Sequence, residues 1–268
     1  MARALRLALV LTSVVPVAAL AQEAASAPAH DADALAKALS NPVAALISVP
    51  FQYNYDQTYG ADGHRNTLNV QPVIPVSVSE DWNMISRTIL PIIQQEDVIL
   101  GRSQFGLGDT LQSLFFSPKE ATASGVIWGL GPAALIPTGT DDLGSRTWAI
   151  GPTGVVLKQS GQWTYGLLFN HLVDVGGSDR VDINSTFIQP FLSRSLGQGR
   201  TVGVNLENTY DWENTQWTVP ANLSYTKVSK IGSQLVSYQM GVRGYLETPR
   251  GGPDWGLRFS LTLLYPKH

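Results

Sequence analysis

The last stretch of the chain, from Trp255 to Tyr265, alternates apolar and polar residues almost without a break. Trp255, Leu257, Phe259, Leu261, Leu263 and Tyr265 share one parity, while Gly256, Arg258, Ser260 and Thr262 share the other. A period of two is β-strand geometry, because successive side chains point to opposite faces. One face of this strand is wholly apolar, so the question the sequence raises is what apolar medium that face meets.

The same pattern recurs on three more late segments. Val202, Val204, Leu206, Tyr210 and Trp212 alternate with Thr201, Gly203, Asn205, Glu207, Thr209 and Asp211. Trp217, Val219, Ala221, Leu223 and Tyr225 alternate with Thr218, Asn222, Ser224 and Thr226. Val236, Tyr238, Met240, Val242 and Leu246 alternate with Ser237, Gln239, Gly241, Arg243 and Glu247. Turn chemistry divides the whole chain into about twelve such segments, near 46–56, 65–79, 82–95, 104–117, 124–137, 146–158, 162–175, 183–195, 200–212, 216–229, 234–247 and 254–266. Strands of soluble proteins cluster near five or six residues, whereas a tilted membrane-spanning strand needs about ten. These segments have the membrane length, and charged residues make up only 15% of the chain against about a quarter in soluble domains.

The connections carry an asymmetry. Ser79-Glu80-Asp81, Gln159-Ser160-Gly161, Gly197-Gln198-Gly199 and Lys230-Ile231-Gly232 are tight, whereas 57–66, 96–103, 138–146, 174–182 and 248–254 are longer and richer in charge or glycine. Short turns on one rim and long loops on the other are the habit of outer-membrane barrels. Glu213-Asn214-Thr215 and 118–123 depart from it. Trp82, Trp148, Trp163, Trp212, Trp217 and Trp255 all lie close to a proposed turn, where an amphipathic ring meets lipid headgroups. Pro72, Pro75, Pro91, Pro132, Pro137, Pro152, Pro190 and Pro220 fall inside or beside these strands, although proline cannot donate to a ladder.

The N-terminus reads as an export signal. Arg3 and Arg6 precede an apolar run from Leu7 to Leu20, and Ala19-Leu20-Ala21 is a small-x-small cleavage pattern. The expected organisation is a signal peptide over 1–21, a partly helical periplasmic lead over 22–45 and a barrel over 46–268. The lead is Ala-rich around 31–39 and stops before Asn41-Pro42. Cysteine is absent, which excludes a disulfide-stapled domain and a thiolate metal site. The 21 acidic residues outnumber the 18 basic ones, and the leader takes two of the latter, so nucleic acid is not an expected partner.

A larger set of segments carries a resemblance: 69–75 (NVQPVIP), 81–91 (DWNMISRTILP), 105–109 (FGLGD), 137–142 (PTGTDD), 151–154 (GPTG), 163–166 (WTYG) with Asn170-His171, and 211–213 (DWE) followed by 216–220 (QWTVP). Together they resemble a bacterial family named for the MetA pathway of phenol degradation, often called simply transporters. The resemblance implies an all-β transmembrane antiparallel barrel of about twelve strands in the outer membrane of a Gram-negative bacterium. The resemblance implies little about substrate; the expected role is a porin-like one, passing small solutes with aromatic or hydrophobic compounds among the candidates. Expected partners are outer-membrane lipid and lipopolysaccharide, the barrel-assembly machinery and a solute of unknown identity; no cofactor or metal is expected.

Two other readings stand beside transport: a non-conducting structural or sensing barrel, and a barrel enzyme acting on lipid. The enzyme reading lacks its residues. A lipid hydrolase needs a serine two positions after its histidine, but His171 is followed by Leu172 and Val173, and His64 by Arg65 and Asn66. Parity instead nominates lumen-lining charges: Glu207, Asp211, Arg243 and Arg258, with Arg87 and Arg194 as companions. Asp141 and Asp142 are candidate loop carboxylates for contact with a cation or lipopolysaccharide. The mature protein should fractionate with outer membranes and show heat-modifiable gel mobility, because a closed barrel resists unfolding by detergent; recovery as a soluble periplasmic monomer would point to a β-sandwich.

Overall fold

A computed structural model describes residues 29–59, 62–177 and 181–266. The expected signal peptide lies outside the described residues. A helix, α1 (Ala29–Leu39), leads into twelve antiparallel strands. They are β1 (Ile47–Tyr59), β2 (Gly63–Val70 and Val73–Ser77), β3 (Trp82–Glu96), β4 (Ser103–Leu107 and Thr110–Pro118), β5 (Val126–Ile136) and β6 (Thr147–Ser160). The second half is β7 (Trp163–Gly177), β8 (Asn184–Gly197), β9 (Arg200–Leu206 and Asn208–Asp211), β10 (Gln216–Thr218 and Pro220–Ile231), β11 (Gln234–Tyr245) and β12 (Trp255–Tyr265). Each bound falls within three residues of the sequence-based one.

Every strand pairs with its sequence neighbours, and β12 returns to β1 in unbroken register from Ile47↔Tyr265 to Gln57↔Trp255. The sheet is therefore a closed barrel with no free edge. The apparent break in β9 at Glu207 is not a slip. Phe191↔Asn205 and Ile188↔Asn208 keep one register across it, so Glu207 stays on the same face as Asn205. In β4 the interruption at Gly108-Asp109 is a true bulge: Ile92↔Leu107 and Ile89↔Leu111 differ by one residue in register.

Closure turns the alternation of each strand into an inside and an outside. On β12, Gly256, Arg258, Thr262 and Leu264 are buried, whereas Trp255, Phe259 and Tyr265 are exposed. Large apolar side chains such as Leu130, Val204, Leu223, Met240 and Val242 are half exposed all round the outer face. The inner face is divided. On β10–β12 and β1 it carries Asn222, Ser237, Arg258, Thr262, Ser48, Asn54 and Asp56. On the opposite side Ile85, Phe115, Val155, Leu157 and Leu168 pack into a core with Val43 of the lead segment. The polar inner face expected from the late strands is thus mixed on β4–β8, where this apolar core stands among inward Ser113, Thr153, Asn170 and Gln189.

The helix sits in the mouth on the rim that holds the tight turns. Ala36 packs against the inward Val228 and Leu264, with Leu35 and Leu39 beside it. Asp33 accepts a hydrogen bond from the Gly199 amide (2.6 Å), and Gln159 donates to the Lys37 carbonyl (2.9 Å). After α1 ends, Asn41 Oδ1 accepts from the Val43 amide (3.0 Å), a side-chain turn that sends the chain into the interior before β1 begins.

Several of the in-strand prolines now have a physical account. Pro132 and Pro152 face each other across β5 and β6, and neither can donate to its outer neighbour. The β4–β5 ladder skips Leu114 and Phe115, and the β6–β7 ladder skips His171 and Leu172. Glycine precedes each of these prolines, and the facing strand approaches closely: a Cβ on Gly131 would lie 1.9 Å from the Leu114 carbonyl oxygen, and one on Gly151 would lie 1.8 Å from that of His171. The Gly-Pro pairs therefore let neighbouring strands close in where the ladder is interrupted. Gly151→Val should cost at least about 1–3 kcal/mol by overpacking, read as a lower urea midpoint and a diminished heat-modifiable band.

Candidate functional site

Charges of opposite sign meet inside the barrel at one level. Arg258 donates from Nη1 and Nη2 to the two carboxylate oxygens of Glu207 (2.7 and 2.9 Å) and from Nε to Asn54 Oδ1 (2.7 Å). Arg243 Nη1 donates to Asp56 (3.2 Å), its Nη2 lies 3.5 Å from Glu207, and its guanidinium lies over the Tyr245 ring. A forked guanidinium on a carboxylate fixes both groups in direction as well as distance. Strands β1, β9, β11 and β12 contribute one or two residues each, so the belt braces the polar wall across four strands. Arg87 enters from β3 and donates to Gln71 Oε1 (3.1 Å). Arg65, in register with Asp56 and donating to Gln95 (2.7 Å), adds a fourth guanidinium against the two carboxylates, so this level carries an excess positive charge.

Two cavities adjoin the belt. The one towards the long loops measures about 470 Å³ and is lined by Asp56, Arg87, Glu207, Arg243 and Arg258 on one side and by Phe115, Leu168 and Phe187 on the other. The one towards the tight turns measures about 320 Å³ and is floored by α1 and the segment after it. Gln52, Gln71, Arg87, Gln189, Asn205 and Gln239 line both. Arg243 Nε and Asn222 Oδ1 are buried without a protein hydrogen-bond partner.

The other nominated residues are elsewhere. Arg194, expected in the lumen, is exposed on the outer face, with its guanidinium over the Trp163 ring at 5.3 Å. Its parity is that of Leu192 and Leu196, and the inward residue beside it is Ser193. Asp211 has inward parity but is consumed at the rim, where it accepts from the amides of Glu213 and Asn214 and the Asn214 side chain. Asp142 pairs with Arg102 in an exposed ion pair (2.9 Å) between two loops; the Asp141 side chain lies outside the described residues. Asn170 and His171 point to opposite faces: Asn170 is buried inside, while His171 meets Thr186 (2.9 Å), which also accepts from Trp212. They therefore cannot act as a pair. Among the described residues no group of three His, Cys, Asp or Glu could hold a metal ion.

Asp56, Asn54 and Gln71 were missed. The period of two does place Asp56 and Asn54 on one face of β1, but nothing local says that this face meets β12. The loop-bracing Asp109 was also missed. It accepts from the Gly139 amide (3.0 Å) and from the Ser145 amide and hydroxyl (2.6 Å each).

No family model and no curated relative matches the chain. Among solved structures it is similar to the COG4313 outer membrane channel from Pseudomonas putida F1, with a TM-score of 0.65 and 14% identity over 82% of this chain and 96% of that one. The fold is that of an outer-membrane β-barrel. A KdgM porin solved with a disordered oligogalacturonate also matches, with a TM-score of 0.46 and 11% identity over 82% of this chain and 99% of that one.

In such a barrel the outer face meets hydrocarbon and the inner face meets water or packed protein. Trp82, Trp128 and Trp163 mark one rim, with Trp82 and Trp128 edge to face at 5.7 Å, and Trp148, Trp212, Trp217 and Trp255 mark the other. The Glu207–Arg258 fork lies in the interior between these two girdles. Glu207→Gln should cost about 1.5–3 kcal/mol, and a double-mutant cycle with Arg258→Met should return a coupling of about 0.5–3 kcal/mol, read from urea unfolding of the barrel in lipid vesicles.

Proposed function

We propose that the protein is a narrow channel for small solutes in the outer membrane of a Gram-negative bacterium, reached by export with a cleaved leader. The observation that carries this reading is the pair of adjoining cavities, about 470 and 320 Å³, that share a wall of amides with Arg87. The similarity to an outer membrane channel supports it. Its partners on this reading are outer-membrane lipid, lipopolysaccharide and the barrel-assembly machinery.

The solute class follows from the two walls. One side of the larger cavity offers guanidiniums and amides; the other offers Phe115, Leu168 and Phe187. A small solute with an aromatic or hydrophobic body and a polar or anionic group matches both sides, in keeping with the resemblance to the phenol-degradation family. Arg243 and Arg258 are already neutralised by Asp56 and Glu207, so ionic preference rests chiefly on Arg87, which donates to the neutral Gln71. A second reading, a barrel that does not conduct, is favoured by α1, which floors the inner cavity.

Planar-bilayer recording with a panel of ions and small aromatic carboxylates separates the two. Discrete conductance supports the channel, and silence both with and without residues 29–40 supports the closed barrel. In water a unit charge at about 5 Å is worth about 0.8 kcal/mol to a passing ion, so reversing its sign is worth roughly tenfold, less after screening. Arg87→Glu should therefore lower the chloride-to-potassium permeability ratio several-fold, whereas an unchanged reversal potential would remove Arg87 from the permeation path.

A further inference from the structure

The outer face of β8–β10 carries cations that the channel does not use. Arg194 on β8, Arg200 on β9 and Lys227 on β10 all share the parity of lipid-facing neighbours such as Leu192, Val204 and Leu223. They form one cluster, because Arg200 is in register with Lys227, and Arg194 is in register with Val202, whose other partner is Tyr225. Aromatic rings border the cluster. Trp163 lies beside and beneath Arg194, Tyr225 is two residues from Lys227, and Tyr238 is the cross-strand partner of Lys227. Arg200 is held in place by its own turn, donating to the carbonyls of Gly197 (3.1 Å) and Leu196 (3.5 Å). Among the described residues no Asp or Glu projects from this part of the outer face. Asp33 reaches the same rim from the lumen side, on the Gly199 amide.

All three cations lie at the level of Trp163, close to the tight turns and therefore at headgroup level. Directly above them the outer wall is concave. A groove of about 550 Å³ is lined by Leu192, Val204, Leu206, Leu223 and Val242, and the small outward Ala221 and Gly244 deepen it. A phosphodiester at the cations and an acyl chain in the groove would be continuous. We propose that this face binds one anionic phospholipid of the inner leaflet, with its phosphate held by Arg194, Arg200 and Lys227 and one chain lying along the groove. Clustered surface cations beside apolar protein are the usual means of selecting anionic headgroups. The proposal rests on the membrane-barrel reading and not on conduction.

The test uses the full mature protein in detergent, titrated with phosphatidylglycerol or phosphatidylethanolamine and examined by native mass spectrometry. The expected result is about tenfold greater retention of phosphatidylglycerol, lost at raised salt and not competed by inorganic phosphate at equal concentration. The double variant Arg194→Gln with Lys227→Gln should lower that retention about tenfold while keeping heat-modifiable mobility, and Val204→Trp, which fills the groove, should lower it without changing charge. Equal retention of the two lipids overturns the proposal, as does a double variant that binds undiminished. Full competition by inorganic phosphate would overturn it in favour of a free-anion site. Loss of heat-modifiability in the wild-type protein, with no lipid of either kind retained, would instead overturn the barrel reading on which the proposal rests.

Discussion

The register between β1 and β12, from Ile47↔Tyr265 to Gln57↔Trp255, satisfies the backbone groups that an open twelve-strand sheet would leave bare at its two edges. In hydrocarbon each such group would cost several kcal/mol, so this seam is the condition under which any other feature of the chain can exist in a membrane. It also decides where the side chains meet. Arg258 reaches Asn54 only because their strands are joined here, and that contact helps aim its guanidinium at Glu207 across the wall. The charged belt is thus a product of closure, assembled from residues more than two hundred positions apart.

The fold was legible wherever the two faces of a strand meet different media. On β9–β12 an apolar outer face opposes a wet inner face, so the period of two is plain and parity alone places Glu207, Arg243 and Arg258 together. On β4–β8 part of the inner face is itself a core, with Phe115, Leu157 and Leu168 against Val43. Runs such as Leu167-Leu168-Phe169 then lose their alternation, and the polar lumen inferred from the late strands carries over only in part. Arg194 misled for a related reason: at headgroup level an outward arginine over tryptophan is tolerated, so charge no longer marks the interior.

What stayed hidden depends on contacts made through the third dimension. The Asp56–Arg243 pair and the Asp109 brace of the 137–146 loop join strands that have no local signature for each other. The prolines were visible but unexplained until the facing carbonyls of Leu114 and His171 showed why a glycine must precede Pro132 and Pro152. The helix was legible from its alanines and its Asn41-Pro42 stop, whereas its seat within the mouth follows only from the inward parity of Val228 and Leu264.

The division of the interior into a largely apolar and a charged wall makes the internal space eccentric. Near Phe115, Leu168 and Phe187 the wall is largely apolar, and on the opposite side fixed dipoles and charges face one another at close quarters. On the channel reading, an ion in that space would be repelled by the apolar side and drawn to the charged one, so its path would hug β9–β12 and β1 instead of following the barrel axis. On the same reading a flat solute with a polar edge would meet a different rule, lowering its energy by turning that edge towards Arg87 and the neighbouring amides before it advances. A channel of this shape would sort by orientation as well as by width, and two molecules of equal cross-section but different polarity distribution would not face the same barrier.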